Sequence, residues 1–250
     1  MNKKVLITGS SRGIGQSIGH IFSEKNWDVC FSARNTEDLD ALKKTYSNEN
    51  HLFEILDFTN LQQIEQLYKK IQLNWGKLDS IIFNVGSGSG EKSIRSSFIN
   101  NLEIYRQNFY SAYFSSKMLS LLLINSDNPN ITFIGSIAAN INVDSPINYA
   151  MAKKSIENLA IYLSIQLANH SIRVNVVHPG HTLTKNGHWE KIKQNNIENF
   201  NEYFNSRTLV KDILHPEEVA NFIYEISNSK YSKKLTGSIF DFDAGSSRVK

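Results

Sequence analysis

Short apolar runs alternate along the chain with longer segments in which apolar residues recur three or four positions apart. The runs Val5–Ile7, Val29–Ser32, His51–Ile55, Ser80–Phe83, Asn130–Ile134, Arg173–Val177 and Ser238–Phe242 predict strands. Ile131-Thr-Phe-Ile134 and Val174-Asn-Val-Val177 are nearly continuous and rich in β-branched residues, as strands buried on both faces tend to be. Between the runs, Gly15–Lys25, Thr36–Tyr46, Leu61–Trp75, Tyr105–Leu123, Tyr149–Asn169 and Pro216–Asn228 predict helices. In the third of these, Leu61, Ile64, Leu67, Tyr68 and Ile71 keep helical spacing. Such alternation implies βαβ units and an α/β fold, a doubly wound parallel sheet of about seven strands with helices on both faces.

No linker rich in Pro or Gly divides the chain and no repeat is present, so one domain spanning 1–250 is expected. The exception to the alternation is an insertion at about 183–210, from Leu183 to Val210, rich in Asn, Lys and aromatic residues. A segment of this length without strand character is either a functional lid or a solvated excursion.

Composition narrows the class further. At 250 residues and 40% hydrophobic content the chain can bury a substantial core. Its net charge of +3 is small, with basic residues spread along the chain, so no nucleic-acid partner is expected. Cys30 is the only cysteine, which excludes an internal disulfide and fits a reducing compartment. Three apolar residues after Met1-Asn-Lys-Lys are too few for a signal-peptide core, and no stretch approaches the roughly 18 apolar residues of a membrane span. A soluble cytoplasmic protein without a membrane partner is expected.

The candidate chemistry starts with Tyr149 and Lys153. On a helix, residues four apart share a face, and an ammonium near a phenol favours phenolate, so the tyrosine pKa is expected to fall toward neutrality. Such a tyrosine passes protons at physiological pH. Ser136 offers a hydroxyl to the same substrate oxygen. Earlier, Thr8-Gly9-Ser-Ser11-Arg12-Gly13-Ile14-Gly15 joins a strand to a helix start. Glycines there admit a pyrophosphate to the backbone, and the helix terminus supplies unpaired N–H groups. The second strand ends at Ala33-Arg34, where an acidic residue would grip a ribose hydroxyl and an arginine would accommodate a 2′-phosphate. With Arg12 nearby, NADP(H) is favoured over NAD(H). His178-Pro-Gly-His181 and His188 invite a metal hypothesis. The Pro-Gly pair breaks helical presentation and no carboxylate follows at ligand spacing, so no metal is expected.

These motifs together resemble the short-chain dehydrogenase/reductase family in its single-domain form of about 250 residues, with a Rossmann-type fold. The resemblance places Gly9, Ser11, Arg12, Gly13, Ile14 and Gly15 in the cofactor turn, and Arg34 at the ribose. Asp57 and Phe58 would meet the adenine. Asn84 and Gly86 match the Asn-Asn-Ala-Gly strand end, with Phe83 and Val85 as departures. Pro179, Gly180, Thr182 and Thr184 fall beside the nicotinamide, and Phe242-Asp243-Ala244-Gly245 resembles a terminal Asp-Gly-Gly with Ala244 substituted. Asn108, Ser136, Tyr149 and Lys153 match the four catalytic positions. Tyr149 would exchange the proton, Lys153 would lower its pKa and bind the nicotinamide ribose, Ser136 would hold the alkoxide, and Asn108 would support a relaying water. The resemblance also implies a homodimer or homotetramer. The Ser87–Ile94 rim, the Asn140–Ile147 loop and the 183–210 insertion would set specificity. Their Asn, Asp and His residues, with Trp189 suited to stacking, suggest a sugar or other small polar carbonyl, and Asn84-Val-Gly-Ser-Gly88 resembles family members associated with surface-glycan sugar biosynthesis. A 3-oxoacyl-carrier-protein-type reductase is the alternative, followed by a non-catalytic cofactor sensor on the same fold.

Overall fold

A computed structural model describes all residues except Met1, Ser47, Ser89, Glu91, Ile94, Ser96 and Lys250. Seven strands, β1 (Lys4–Ile7), β2 (Asp28–Ala33), β3 (Leu52–Ile55), β4 (Ser80–Phe83), β5 (Asn130–Ile134), β6 (Arg173–Pro179) and β7 (Ile239–Phe242), form one parallel sheet in the order 3-2-1-4-5-6-7. Each predicted strand is present within a residue or two. Side chains alternate across the sheet, which divides the core in two. Val5 and Ile7 of β1 pack with α1 (Gly13–Glu24), α2 (Thr36–Thr45) and α9 (Pro216–Asn228) on one face. Leu6, between them, packs on the other face with α3 (Leu61–Trp75), α5 (Ser111–Leu119) and α6 (Ile147–Gln166). Fully burying one such aliphatic side chain contributes about 1.5–3 kcal/mol.

Local chemistry sets the helix limits. Asn60 accepts the N–H groups of Gln62 and Gln63 to start α3, and Gly76, in left-handed backbone at φ 73°, ends it. Asn35 caps α2 by accepting from Asp38 N–H.

One expectation needs correction. The predicted helix over Tyr105–Leu123 is instead α4 (Phe98–Tyr105), a π-helical turn over Arg106–Tyr110, α5, and a 3₁₀ turn over Ser120–Leu123. One wide turn displaces the register without breaking the helical course, so the apolar period conceals it. The insertion also carries regular structure, α7 (His188–Asn195) and α8 (Ile197–Arg207). Phe200, Phe204 and Ile213 form a small buried core there, against which Leu183, Trp189, Ile192 and Tyr203 pack.

Candidate active site

The strand order reverses direction between β1 and β4, and the crevice beyond their carboxyl ends is where ligands of such sheets bind. The turn after β1 is held there by its own backbone and two neighbours. Asn84 Nδ2, just past β4, donates to the carbonyls of Thr8 (3.2 Å) and Gly9 (2.9 Å). Ser32 Oγ accepts from Gly9 N–H at 2.9 Å, and Ser10 Oγ from Ser32 N–H at 2.8 Å. Gly15 permits this closure: a Cβ there would stand 2.3 Å from Gly9 O and 2.4 Å from Asn84 Nδ2. Ile14 is half-buried against the core, and Gly9 and Gly13 both take positive φ.

Arg12, at the start of α1, and Arg34, after β2, are exposed, and among the described residues neither guanidinium is paired. Ser11 Oγ instead donates to Asp38 Oδ2 at 3.2 Å. Asp38, which also bonds Asn35, is a neighbour of the turn that the sequence did not single out. Asp57 Oδ1 accepts from Thr59 N–H and Oγ1, both at 2.8 Å. Phe58 turns into the core, 4% exposed, so any adenine contact at that position belongs to its backbone. On the other side of the turn, Thr184 Cγ2 stands 3.4 Å from where a Gly13 Cβ would be. Thr182 Oγ1 donates to Gly180 O at 3.0 Å, Gly180 N–H donates to Phe242 O at 2.9 Å, and Pro179 is the last residue of β6.

The four remaining residues come from three segments of the chain. Ser136 follows β5 and opens a 3₁₀ turn over Ile137–Ala139, accepting from Ala138 N–H at 3.2 Å. Its hydroxyl is hydrogen-bonded to Tyr149, in the first turn of α6. Lys153, one turn on, is 4% exposed and donates from Nζ to Ile134 O at 2.8 Å. Its Nζ lies 5.8 Å from the centre of the Tyr149 ring. Asn108 sits in the π turn, with Oδ1 accepting from Ser87 N–H and Nδ2 donating to Ser87 O and Ile104 O, each at 3.0 Å. The Asn108 side chain is thus committed to the segment after β4. A Cβ on Gly86 would stand 2.6 Å from Asn108 Oδ1 and 3.1 Å from Lys153 Nζ, so glycine admits both.

Burial changes the expected proton chemistry. The Tyr149 phenol is pushed up by desolvation, with the Ser136 hydrogen bond acting the other way. The expected fall toward neutrality is therefore corrected: burial raises the phenol by more than the Ser136 hydrogen bond lowers it. Lys153 itself is drawn down to about 8 by the same burial.

A family model described as short chain dehydrogenase matches residues 3–195. The chain belongs to the short-chain dehydrogenase family. A 7alpha-hydroxysteroid dehydrogenase of Paraclostridium sordellii is 27% identical, over 98% of this chain and 91% of that protein. A 3-oxoacyl-acyl-carrier-protein reductase of Buchnera aphidicola subsp. Schizaphis graminum is 26% identical, over 97% of this chain and 96% of its own length. The crystal structure of L-sorbose reductase from Gluconobacter frateurii, complexed with NADPH and L-sorbose, superposes with a TM-score of 0.87 at 21% identity, covering all of this chain and 98% of that one. At that identity the likeness is one of fold.

Two departures from the short-chain dehydrogenase pattern have local compensation. Phe83 stacks on Phe133 of the neighbouring strand, ring centres 4.9 Å apart, replacing a polar strand end by aromatic packing. Ala244 holds φ 53°, a left-handed backbone that favours glycine. Its carbonyl accepts from Leu209 and Val210 N–H at 2.9 and 3.1 Å, which fastens the end of the insertion to the carboxyl-terminal turn.

Around the mouth, Lys92 pairs with Asp144, and Asn148 bonds Asn101. The expected Ser87–Ile94 rim includes Ser89, Glu91 and Ile94, which lie outside the described residues. His181 packs edge-on against Trp189, Tyr203 and Phe204, and burial draws its pKa down to about 4. Trp189, expected as a stacking platform, is instead occupied by His181, His188, Tyr203 and Phe204. Among the described residues no three His, Cys, Asp or Glu side chains are grouped as metal ligands, and no helix is long and apolar enough to cross a membrane.

Proposed function

We propose that this short-chain dehydrogenase is an NADP(H)-dependent oxidoreductase that interconverts a carbonyl and a secondary alcohol on a small polar substrate such as a sugar. The observation that carries the reading is the convergence of Ser136, Tyr149 and Lys153 on one point, with Asn108 behind them. The cofactor fits the residues present. The glycine turn leaves no side chain where a pyrophosphate would lie, the α1 terminus offers N–H groups, and two unpaired guanidiniums suit a 2′-phosphate. Gly9, Ser11, Arg12, Gly13, Ile14, Gly15, Arg34, Asp57, the Phe58 backbone, Asn84, Gly86, Pro179, Gly180, Thr182 and Thr184 would hold it. A bound nicotinamide supplies hydride chemistry, and the protein supplies position and charge. Ser136 orients the substrate oxygen and stabilises its developing charge. Tyr149 gives that oxygen a proton in reduction and removes it in oxidation. Lys153 holds positive charge beside the phenol, and Asn108 fixes the backbone after β4.

The polar mouth (Lys92 with Asp144, Asn148 with Asn101) supports a small hydrophilic carbonyl. End-to-end similarity to the Buchnera reductase supports an acyl-thioester carbonyl as the second reading. The resemblance further supports a homo-oligomer in the cytoplasm. Tyr149→Phe is expected to abolish carbonyl-dependent NADPH oxidation across a panel of sugars, oxo-acids and acyl thioesters, while NADPH fluorescence titration shows unchanged binding. Turnover at the wild-type rate in that variant would refute the assignment of Tyr149.

A further inference from the structure

Glu157 follows Tyr149 by eight residues and Lys153 by four, so α6 carries all three on one face. Its carboxylate is 3% exposed. Oε2 receives Lys154 Nζ at 2.6 Å, and Oε1 accepts from Asn140 Nδ2 at 2.9 Å. Lys154 Nζ also donates to Asn140 Oδ1 at 2.6 Å. Beneath Asn140 lies His178 of β6, fully buried. Its Nε2 is 3.4 Å from Glu157 Oε1, within ion-pair range but without a hydrogen bond. Its Nδ1 is 3.4 Å from both Asp241 Oδ1 on β7 and Asn140 Nδ2. Arg248 Nη2 reaches Asp241 Oδ2 at 3.3 Å.

The ring also presses on the strand end that carries Ser136. A Cβ on Gly135 would stand 2.1 Å from His178 Cδ2 and 2.5 Å from Nε2. Asn140, at the other end of the Ser136 turn, bonds Glu157 and meets the same ring. Burying a carboxylate and an imidazole costs free energy unless they are paired. A hydrophobic pair would fill this space without that cost, and none of the chemistry assigned above uses either group.

We propose that Glu157 and His178 are positioning residues that hold the Ser136 turn in register with Tyr149 on α6. The proposal rests on the roles assigned above to Ser136 and Tyr149. Those hydroxyls come from separate elements, and they meet only while the end of β5 keeps its place against α6. His178 fixes the first end of the turn by contact with Gly135, and Glu157 fixes the second through Asn140.

The test compares Glu157→Ala, Glu157→Gln and Asn140→Ala in the full chain. Asn140 is exposed, so its variant carries little folding risk and judges the proposal if Glu157→Ala does not fold. For Glu157→Ala and Asn140→Ala, kcat should fall about 10- to 100-fold, since misplacing reacting groups by about 1 Å costs on the order of 100-fold. NADPH Kd should stay within about twofold, a change of under 1 kcal/mol. Glu157→Gln, which retains an acceptor for Asn140, should recover most of kcat. Amide hydrogen exchange over residues 136–141 should accelerate in the two alanine variants while β4 and β5 stay protected. Loss of thermal stability with wild-type kcat and unchanged exchange over 136–141 would reduce the pair to a structural role. The exchange measurement needs no substrate. If the wild-type chain reduces no carbonyl, the proposed function fails, and exchange alone decides whether Glu157 and Asn140 hold the turn.

Discussion

The turn over residues 8–15 and the insertion over residues 183–210 meet where Gly13 faces Thr184, and they are built by opposite means. The turn is fixed by backbone: two carbonyls held by Asn84, an amide held by Ser32, and a glycine with no room for a methyl group. The insertion is fixed by side chains, chiefly Phe200, Phe204 and Ile213 under Trp189 and Tyr203. Backbone contacts tolerate almost no substitution, whereas packed side chains can be exchanged for others of similar volume. A fold arranged in this way keeps one cofactor and is free to change its substrate.

The contrast is tested most severely at Gly15. Gly15→Val should cost at least the upper end of the roughly 1–3 kcal/mol of overpacking, lowering the thermal transition by several degrees and, by displacing the turn, lowering cofactor affinity by on the order of 100-fold in a fluorescence titration. At the other edge of the cofactor site, Arg34→Ala should remove a charge-assisted hydrogen bond of about 1.5–3 kcal/mol. The KM for NADPH should then rise at least about tenfold while that for NADH barely moves. Equal effects on both cofactors would remove the case for a 2′-phosphate site. Across the cleft, Phe204→Ala should behave differently from either, raising substrate KM several-fold and lowering thermal stability while cofactor binding stays intact. Cofactor loss in that variant would show that the two regions are not separable.

The smallest effect is one of pH. Lys153 titrates near 8 in the folded chain against 10.5 as its ordinary value. Between those values the native state binds fewer protons than the unfolded chain, so stability rises with pH across that window. On the role proposed for Lys153, reductive turnover should fall across the same window. Denaturant titrations and kcat profiles should therefore slope in opposite directions above pH 8.

Much of this arrangement was legible in the sequence, and the exceptions share a cause. Strands such as Val174–Val177 announce themselves because a strand buried on both faces needs an unbroken apolar run. Tyr149 and Lys153 are readable because four residues make one helical turn. The start of α4 was not, since Phe98, Ile99 and Leu102 are exposed there instead of marking a core face. The link from Glu157 to His178 crosses 21 positions between a helix and a strand, and no local pattern records it. The raised phenol of Tyr149 was missed for a similar reason: spacing shows a neighbouring charge, but desolvation depends on the whole packed surround.

One feature of α6 bears on how far pH can act. Tyr149 is its third residue, and Pro146 before it offers no side-chain cap. The phenol therefore sits at the positive end of a 20-residue helix, where the aligned peptide dipoles amount to about half an elementary charge within the first turn. That charge is not carried by a proton. When alkali strips Lys153, the dipole remains, and it opposes the desolvation that raises the phenol for as long as the helix is folded.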